Sequence, residues 1–118
     1  EAAYNDASGI SEKFNKNLLN RINNELGGNA KLDQFKHIAP YNEDTGRIEM
    51  HLVSRCEQTL TISNYQFPLK TNETIHTENS YKYTVEEFQT LAKSASFAPT
   101  AVWVDENRLF SVHLLKSA

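Results

Sequence analysis

Ile75-His76-Thr77-Glu78-Asn79-Ser80-Tyr81-Lys82-Tyr83-Thr84-Val85-Glu86-Glu87-Phe88 is the stretch on which the fold turns, because its periodicity changes partway along. From Thr74 to Tyr83 the β-branched and aromatic residues predict an extended strand. Thr84-Val85-Glu86-Glu87 then spells a helix-capping box, and Phe88, Leu91, Ala92 and Ala95 mark one helical face to about Ser94.

Upstream, the pattern is one helix followed by short strands. Ile10, Phe14, Leu18, Ile22 and Leu26 recur every four residues, with Leu19 widening the stripe, which predicts an amphipathic helix over Ser11 to Leu26. Ser11 can cap its start, and Gly27-Gly28 permits a left-handed ending. Phe35 to Tyr41 reads as extended, Asn42-Glu43-Asp44-Thr45-Gly46 as a turn, and Arg47 to Arg55 as the returning strand. In that strand Ile48, Met50 and Leu52 share one face, and Glu49, His51 and Val53 the other. Thr59 to Ile62 alternates, Ser63-Asn64 turns, and Tyr65-Gln66-Phe67 begins a strand that Pro68 should stop. Downstream of the second helix, Thr100 to Val104 and Leu109 to Leu115 read as strands joined by Asp105-Glu106-Asn107. The class is α+β: helix, antiparallel sheet, helix, final antiparallel strand pair. The change at Thr84 suggests two parts, residues 1–83 and 84–118.

Composition narrows the function. A net charge of −3, with twelve Lys and Arg scattered as singles, gives no basic track for nucleic acid. The longest apolar runs fall far short of the roughly 18 residues a membrane span needs. A lone Cys56, with no charged-then-apolar leader, points to a reducing cytoplasm. The start at Glu1-Ala2-Ala3-Tyr4, without methionine and just ahead of a helix, points to part of a longer protein.

No local catalytic fingerprint occurs, and His37, His51, His76 and His113 lie on separate segments without metal-ligand spacing, so no metal site is expected. Trp103 and Phe110, at strand positions, are expected in a core. The polar side chains of Ile75–Tyr83 are unusual for a strand. Glu78 and Ser80, two apart, should project together with Cα atoms roughly 6.5 to 7 Å apart. A carboxylate and a hydroxyl so placed suit the two nitrogens of an imidazole. On spacing alone, a solvated face on which His76, Glu78 and Lys82 exchange weak charge contacts remains the other reading. Met50 reads as core filler or pocket floor, and Tyr4 as a packed aromatic or a donor to a ligand carboxylate.

Four stretches together resemble the histidine-specific methyltransferases of ergothioneine synthesis. They are Ala3-Tyr4-Asn5-Asp6-Ala7-Ser8-Gly9, Phe14-Asn15-Lys16-Asn17-Leu18-Leu19, Arg47-Ile48-Glu49-Met50-His51-Leu52-Val53-Ser54 and Ile75-His76-Thr77-Glu78-Asn79-Ser80-Tyr81-Lys82-Tyr83. The closing Phe110-Ser111-Val112-His113 is similar as well. The resemblance implies an S-adenosylmethionine-dependent enzyme methylating the α-amino group of L-histidine, of which this chain is the carboxy-terminal, substrate-recognising part.

It further implies that Glu78 and Ser80 contact the imidazole, that Met50 lines the ring pocket, and that Tyr4 helps bind the substrate carboxylate. Residues 1–83 would be the histidine-binding domain. Residues 84–118 would be the last helix and strand pair of a Rossmann-type methyltransferase sheet. Asn79 stands where other branches of the family carry an apolar residue, and it should point away from the pocket. The cofactor loop of such enzymes does not occur in these residues, so S-adenosylmethionine is expected to bind mainly elsewhere and the piece alone to be inactive. Its final strands, left as a sheet edge, could pair copies into an oligomer. The rival expectation is a free-standing α+β module that binds a small ligand without chemistry.

Overall fold

A computed structural model of the chain describes residues 3–7 and 9–118; Ser8 of the Ala3–Gly9 stretch, like Glu1 and Ala2, lies outside the described residues. The chain divides into two compact units, Glu1–Tyr81 and Lys82–Ala118.

The first unit opens with α1 (Ile10–Leu26). Gly9, left-handed at φ 70°, starts the helix one residue before Ser11. Asp6 takes the capping role expected of Ser11: its carboxylate accepts from the amides of Ile10 and Ser11 at 3.4 and 3.3 Å. The Ser11 hydroxyl instead donates to the Ala3 carbonyl. At the other end Gly27 is left-handed at φ 63°, and the amides of Gly27 and Gly28 both donate to the Ile22 carbonyl. Gly28 has no room for a side chain, since a Cβ there would lie 2.7 Å from Ile22 Cγ2.

The helix turns a different stripe inward from the one its leucines suggest. Asn15 and Leu19 are buried, whereas Ile10, Phe14, Leu18 and Leu26 are exposed. The buried line is displaced by one residue, about 100° of helical rotation, and a polar Asn15 can occupy it because both ends of its amide are bonded.

A 3₁₀ turn at Leu32–Gln34 leads into β1 (Phe35–Ile38), β2 (Tyr41–Asn42) and β3 (Arg47–Ser54). The extended segment expected over Phe35 to Tyr41 is broken at Ala39-Pro40, where proline offers no amide to a ladder. The Pro40 carbonyl accepts instead from the Glu49 amide at 2.9 Å. A two-stranded ribbon follows, β4 (Gln58–Ile62) with β5 (Tyr65–Leu69). Pro68 does not stop β5, because a ribbon of two strands leaves it an edge on which a missing donor costs nothing. Then β6 (Thr74–Tyr81) returns antiparallel along β3. Central β3 therefore carries β1 and β2 on one edge and β6 on the other.

Burial along β3 alternates: Ile48, Met50, Leu52 and Ser54 are buried, and the residues between them are half-exposed. That face divides into two clusters. Leu52 joins Leu19, Ala30, Phe35, Leu60 and Leu69, with Ile75 packed against them. Ile48 and Met50 join Ala39, and Tyr4 packs on this second cluster.

The second unit comprises α2 (Val85–Ser94), β7 (Phe97–Val104) and β8 (Ser111–Ser117). The capping box forms as the sequence indicates: the Thr84 hydroxyl accepts from the Glu87 amide at 3.1 Å, and the Glu87 carboxylate accepts from the Thr84 amide at 2.9 Å. β7 and β8 pair antiparallel, with an irregularity between Pro99 and Ala101. Trp103 and Phe110, expected in a core, are 57% and 65% exposed. Two strands and a ten-residue helix cover too little area to enclose them. No helix among the described residues is long and apolar enough to cross a membrane.

Candidate functional site at the bulge of the central strand pair

The local chemistry is set by a β-bulge. Ile48 faces Ser80 and Met50 faces Glu78, but the next residue, His51, faces His76, leaving Thr77 unpaired. An extra residue reverses the alternation of side chains beyond it. A regular strand would put His76 on the same face as Glu78 and Ser80. The bulge sends His76 to the opposite face and brings Ile75 into the core beside Leu52. His76 and Glu78, which spacing alone allowed to share one charged surface face, therefore stand on opposite faces.

Directly opposed residues of an antiparallel pair project to one face. Glu78 and Ser80 therefore stand on the same side of the sheet as Met50 and Ile48. Tyr4 lies over this patch: its ring packs on the Ala39, Ile48 and Met50 cluster, and its hydroxyl is 2.7 Å from Ser80 Oγ. The fold thus brings together Tyr4, Met50, Glu78 and Ser80, residues far apart in the chain. Met50 is buried as the floor, while the other three are half-buried.

The Glu78 carboxylate has no hydrogen-bond or ion-pair partner among the described residues. On the reverse face of the same strand pair, Glu49 is saturated. Its Oε2 accepts from Arg47 Nε at 2.8 Å and from Asn42 Nδ2 at 3.1 Å, and its Oε1 accepts from His51 Nε2 at 3.0 Å. The Arg47 bond first, then those of His51 and Asn42, hold the Glu49 carboxyl down at about 2. Arg47 also donates to the Tyr81 hydroxyl at 2.7 Å. His51 stacks on His76 with ring centroids 4.5 Å apart, and His76 bonds Asn79 Oδ1 at 2.6 Å. Asn79 is thereby turned away from Glu78, as alternation required.

Folding places Glu49, His51 and His76 with potential ligand atoms within 4.8 Å of one another, a proximity that their sequence positions did not suggest. The carboxylate is already matched by Arg47, whose positive charge opposes a second cation beside it. The carboxylate is thus matched from within, while the buried His51 Nδ1 has no hydrogen-bond partner among the described residues.

Sequence reasoning missed the layer beneath Tyr4. Buried Asn15 donates from Nδ2 to the His51 carbonyl at 3.2 Å and contacts His37 Nδ1 at 2.9 Å, while its Oδ1 accepts from the Thr77 hydroxyl at 2.7 Å. The hydroxyl also lies 3.0 Å from the Met50 carbonyl. His37 Nε2 reaches the Tyr4 carbonyl at 2.8 Å. Nothing in the sequence singles out Asn15, one of five asparagines in α1, as the buried one.

The four glycines, Gly9, Gly27, Gly28 and Gly46, serve helix ends and a hairpin turn. None sits in the strand-to-helix turn with which a Rossmann sheet holds a nucleotide-like cofactor, so this chain's residues do not fit a complete S-adenosylmethionine site.

The chain is 33% identical over 114 residues to the histidine N-alpha-methyltransferase of Mycolicibacterium smegmatis, and 30% identical over 114 residues to that of Mycobacterium tuberculosis. Each alignment covers 95% of this chain and 36% of the relative. Ergothioneine biosynthesis protein 1 of Schizosaccharomyces pombe is 29% identical over 98 residues, 82% of this chain and 13% of that protein. The chain therefore spans about a third of the length of the mycobacterial relatives and aligns to their carboxy-terminal part. The family model for the S-adenosylmethionine-dependent, histidine-specific methyltransferases matches residues 1–117, and the chain belongs to that family.

Proposed function

We propose that this chain is the substrate-recognising part of a cytoplasmic enzyme that transfers a methyl group from S-adenosylmethionine to the α-amino group of L-histidine. The observation that carries the reading is the half-buried Glu78 carboxylate, unmatched among the described residues, on the same face as Ser80 and Met50, where Tyr4 also packs. A carboxylate left unmatched beside an apolar floor favours a ligand that brings a donor.

The site also suggests an orientation. Because the Tyr4 hydroxyl is 2.7 Å from Ser80 Oγ, the carboxylate-binding group and the hydroxyl that meets the ring are neighbours. The ring nitrogen nearer the amino-acid backbone then belongs to Ser80, and the distal one to Glu78. The apolar floor and these three polar contacts fix the imidazole and carboxylate, leaving the α-amine to be aimed. The protein's part in such a transfer is alignment and exclusion of water, so Tyr4, Met50, Glu78 and Ser80 are binding residues. S-adenosylmethionine supplies the methyl group, and its site belongs to the remaining two thirds of the enzyme.

Within the same proposal, residues 1–83 form the histidine-binding domain, and residues 84–118 supply the last helix and strand pair of the methyltransferase sheet. The exposed Trp103 and Phe110 support that assignment, since such residues normally pack against neighbouring strands.

The test is calorimetric titration of the full-length protein with histidine and with phenylalanine. Binding of histidine alone supports the assignment. Equal affinity for both would remove the role of Glu78 and Ser80, and affinity for neither would leave the free-standing module.

A further inference from the structure

We propose that His37 and Asn15 form a positioning relay that fixes Tyr4 against Ser80, an inference that rests on the substrate-site reading above. Tyr4 lies before α1 and outside every strand, so regular secondary structure does not hold it. The Tyr4 carbonyl meets His37 on β1, next to Asn5, whose Nδ2 donates to the Ala39 carbonyl at 3.1 Å, and His37 is in turn met by Asn15 on α1.

The hydrogen positions follow from the two ends. The His51 carbonyl can only accept, so the group of Asn15 facing it is the Nδ2 amide, which leaves Oδ1 for the Thr77 hydroxyl. His37 Nδ1 also faces Nδ2 and must therefore be the acceptor. The proton then sits on Nε2, where the Tyr4 carbonyl, again only an acceptor, receives it. Both ends demand the same neutral Nε2–H tautomer. Asn15 thus selects the tautomer, His37 clamps the Tyr4 main chain, and Tyr4 presents its hydroxyl to Ser80. The same asparagine is tied to Thr77, the bulged residue next to Glu78, so one side chain braces both halves of the pocket.

Two readouts test this in the full-length enzyme. The first is kinetic, with His37→Ala, Tyr4→Phe and the double variant. His37→Ala is expected to raise the histidine KM about fivefold, the equivalent of about 1 kcal/mol for a neutral hydrogen bond, with kcat and the S-adenosylmethionine KM within twofold. If His37 acts through Tyr4, the double variant is no worse than Tyr4→Phe. His37→Gln, which retains a donor toward the Tyr4 carbonyl, should recover most of the loss. Multiplying effects in the double variant, or an unchanged KM in His37→Ala, would overturn the relay.

The second readout needs no substrate: long-range nitrogen NMR of the His37 ring. The Nε2–H tautomer is expected in the wild type, and a mixture of tautomers in Asn15→Ala. A wild-type Nδ1–H tautomer would overturn the relay whatever the ligand. The Nε2–H form in a protein that fails to bind histidine would overturn the substrate reading alone.

Discussion

Replacing Glu78 with alanine bears most directly on the role assigned to the bulged strand pair. Glu78 faces Met50 across the pair and has no partner among the described residues, so its removal breaks no internal bond and should leave the fold intact. Its contact with a substrate imidazole would be a charge-assisted hydrogen bond, worth about 1.5 to 3 kcal/mol. The carboxylate is half-buried and partly screened by solvent, so the lower end applies. At 1.36 kcal/mol per tenfold change, about 1.5 kcal/mol corresponds to a loss of roughly twelvefold in histidine affinity. Calorimetric titration of the full-length protein measures it, with Glu49→Gln as the control. Glu49 lies on the same strand pair but faces the other way, and its replacement should leave the affinity within twofold. A Glu78→Ala protein that binds histidine as the wild type does, or a Glu49→Gln protein that loses affinity equally, would refute the reasoning.

Other outcomes follow from the same geometry. Ser80→Ala removes a neutral bond to the ring and should raise the histidine KM about fivefold in steady-state assays, less than Glu78→Ala does. Phe35→Ala empties a fully buried position and should destabilise the fold by about 3 to 5 kcal/mol in denaturant unfolding, while Phe14→Ala, on the exposed side of α1, should cost well under that. Glu49 is held at about 2 against an ordinary 4.5, so its stabilising effect is full above about pH 4.5 and is lost as pH falls from there through about 2. The difference in melting temperature between wild type and Glu49→Gln should therefore shrink across that window, and a constant difference would show that Arg47 and His51 do not depress Glu49. Thr84→Ala breaks the capping box of α2 and should cost about 1 kcal/mol, read as a lower unfolding midpoint.

Most elements were legible because their signals are local. The alternation of Arg47–Ser54 and the Thr84–Glu87 capping box each depend on neighbours in sequence, and both form as read. The pairing of Glu78 with Ser80 on one face was also local, since it needs only a period of two. What escaped depends on contacts across the chain. The bulge at Thr77 follows from fitting Ile75 and Glu78 to the same face of β3, which no periodicity within β6 reveals. The buried face of α1 is centred on Asn15, because partners on β1, β3 and β6 satisfy its amide, and a count of apolar residues cannot anticipate that. Gly9 and Asp6 likewise displaced Ser11 as the helix cap through a turn conformation that lies outside the helical pattern.

The most direct measurement is methyl transfer itself. The full-length protein is incubated with S-adenosylmethionine and, in separate reactions, histidine, phenylalanine, tyrosine and tryptophan, and products are followed by mass spectrometry. Methylated product from histidine, carried on the α-amino nitrogen and absent with the other three, is the expected result. Methylation of another aromatic amino acid in preference to histidine would contradict the imidazole grip of Glu78 and Ser80, and no product from any of them would contradict the enzyme assignment as a whole.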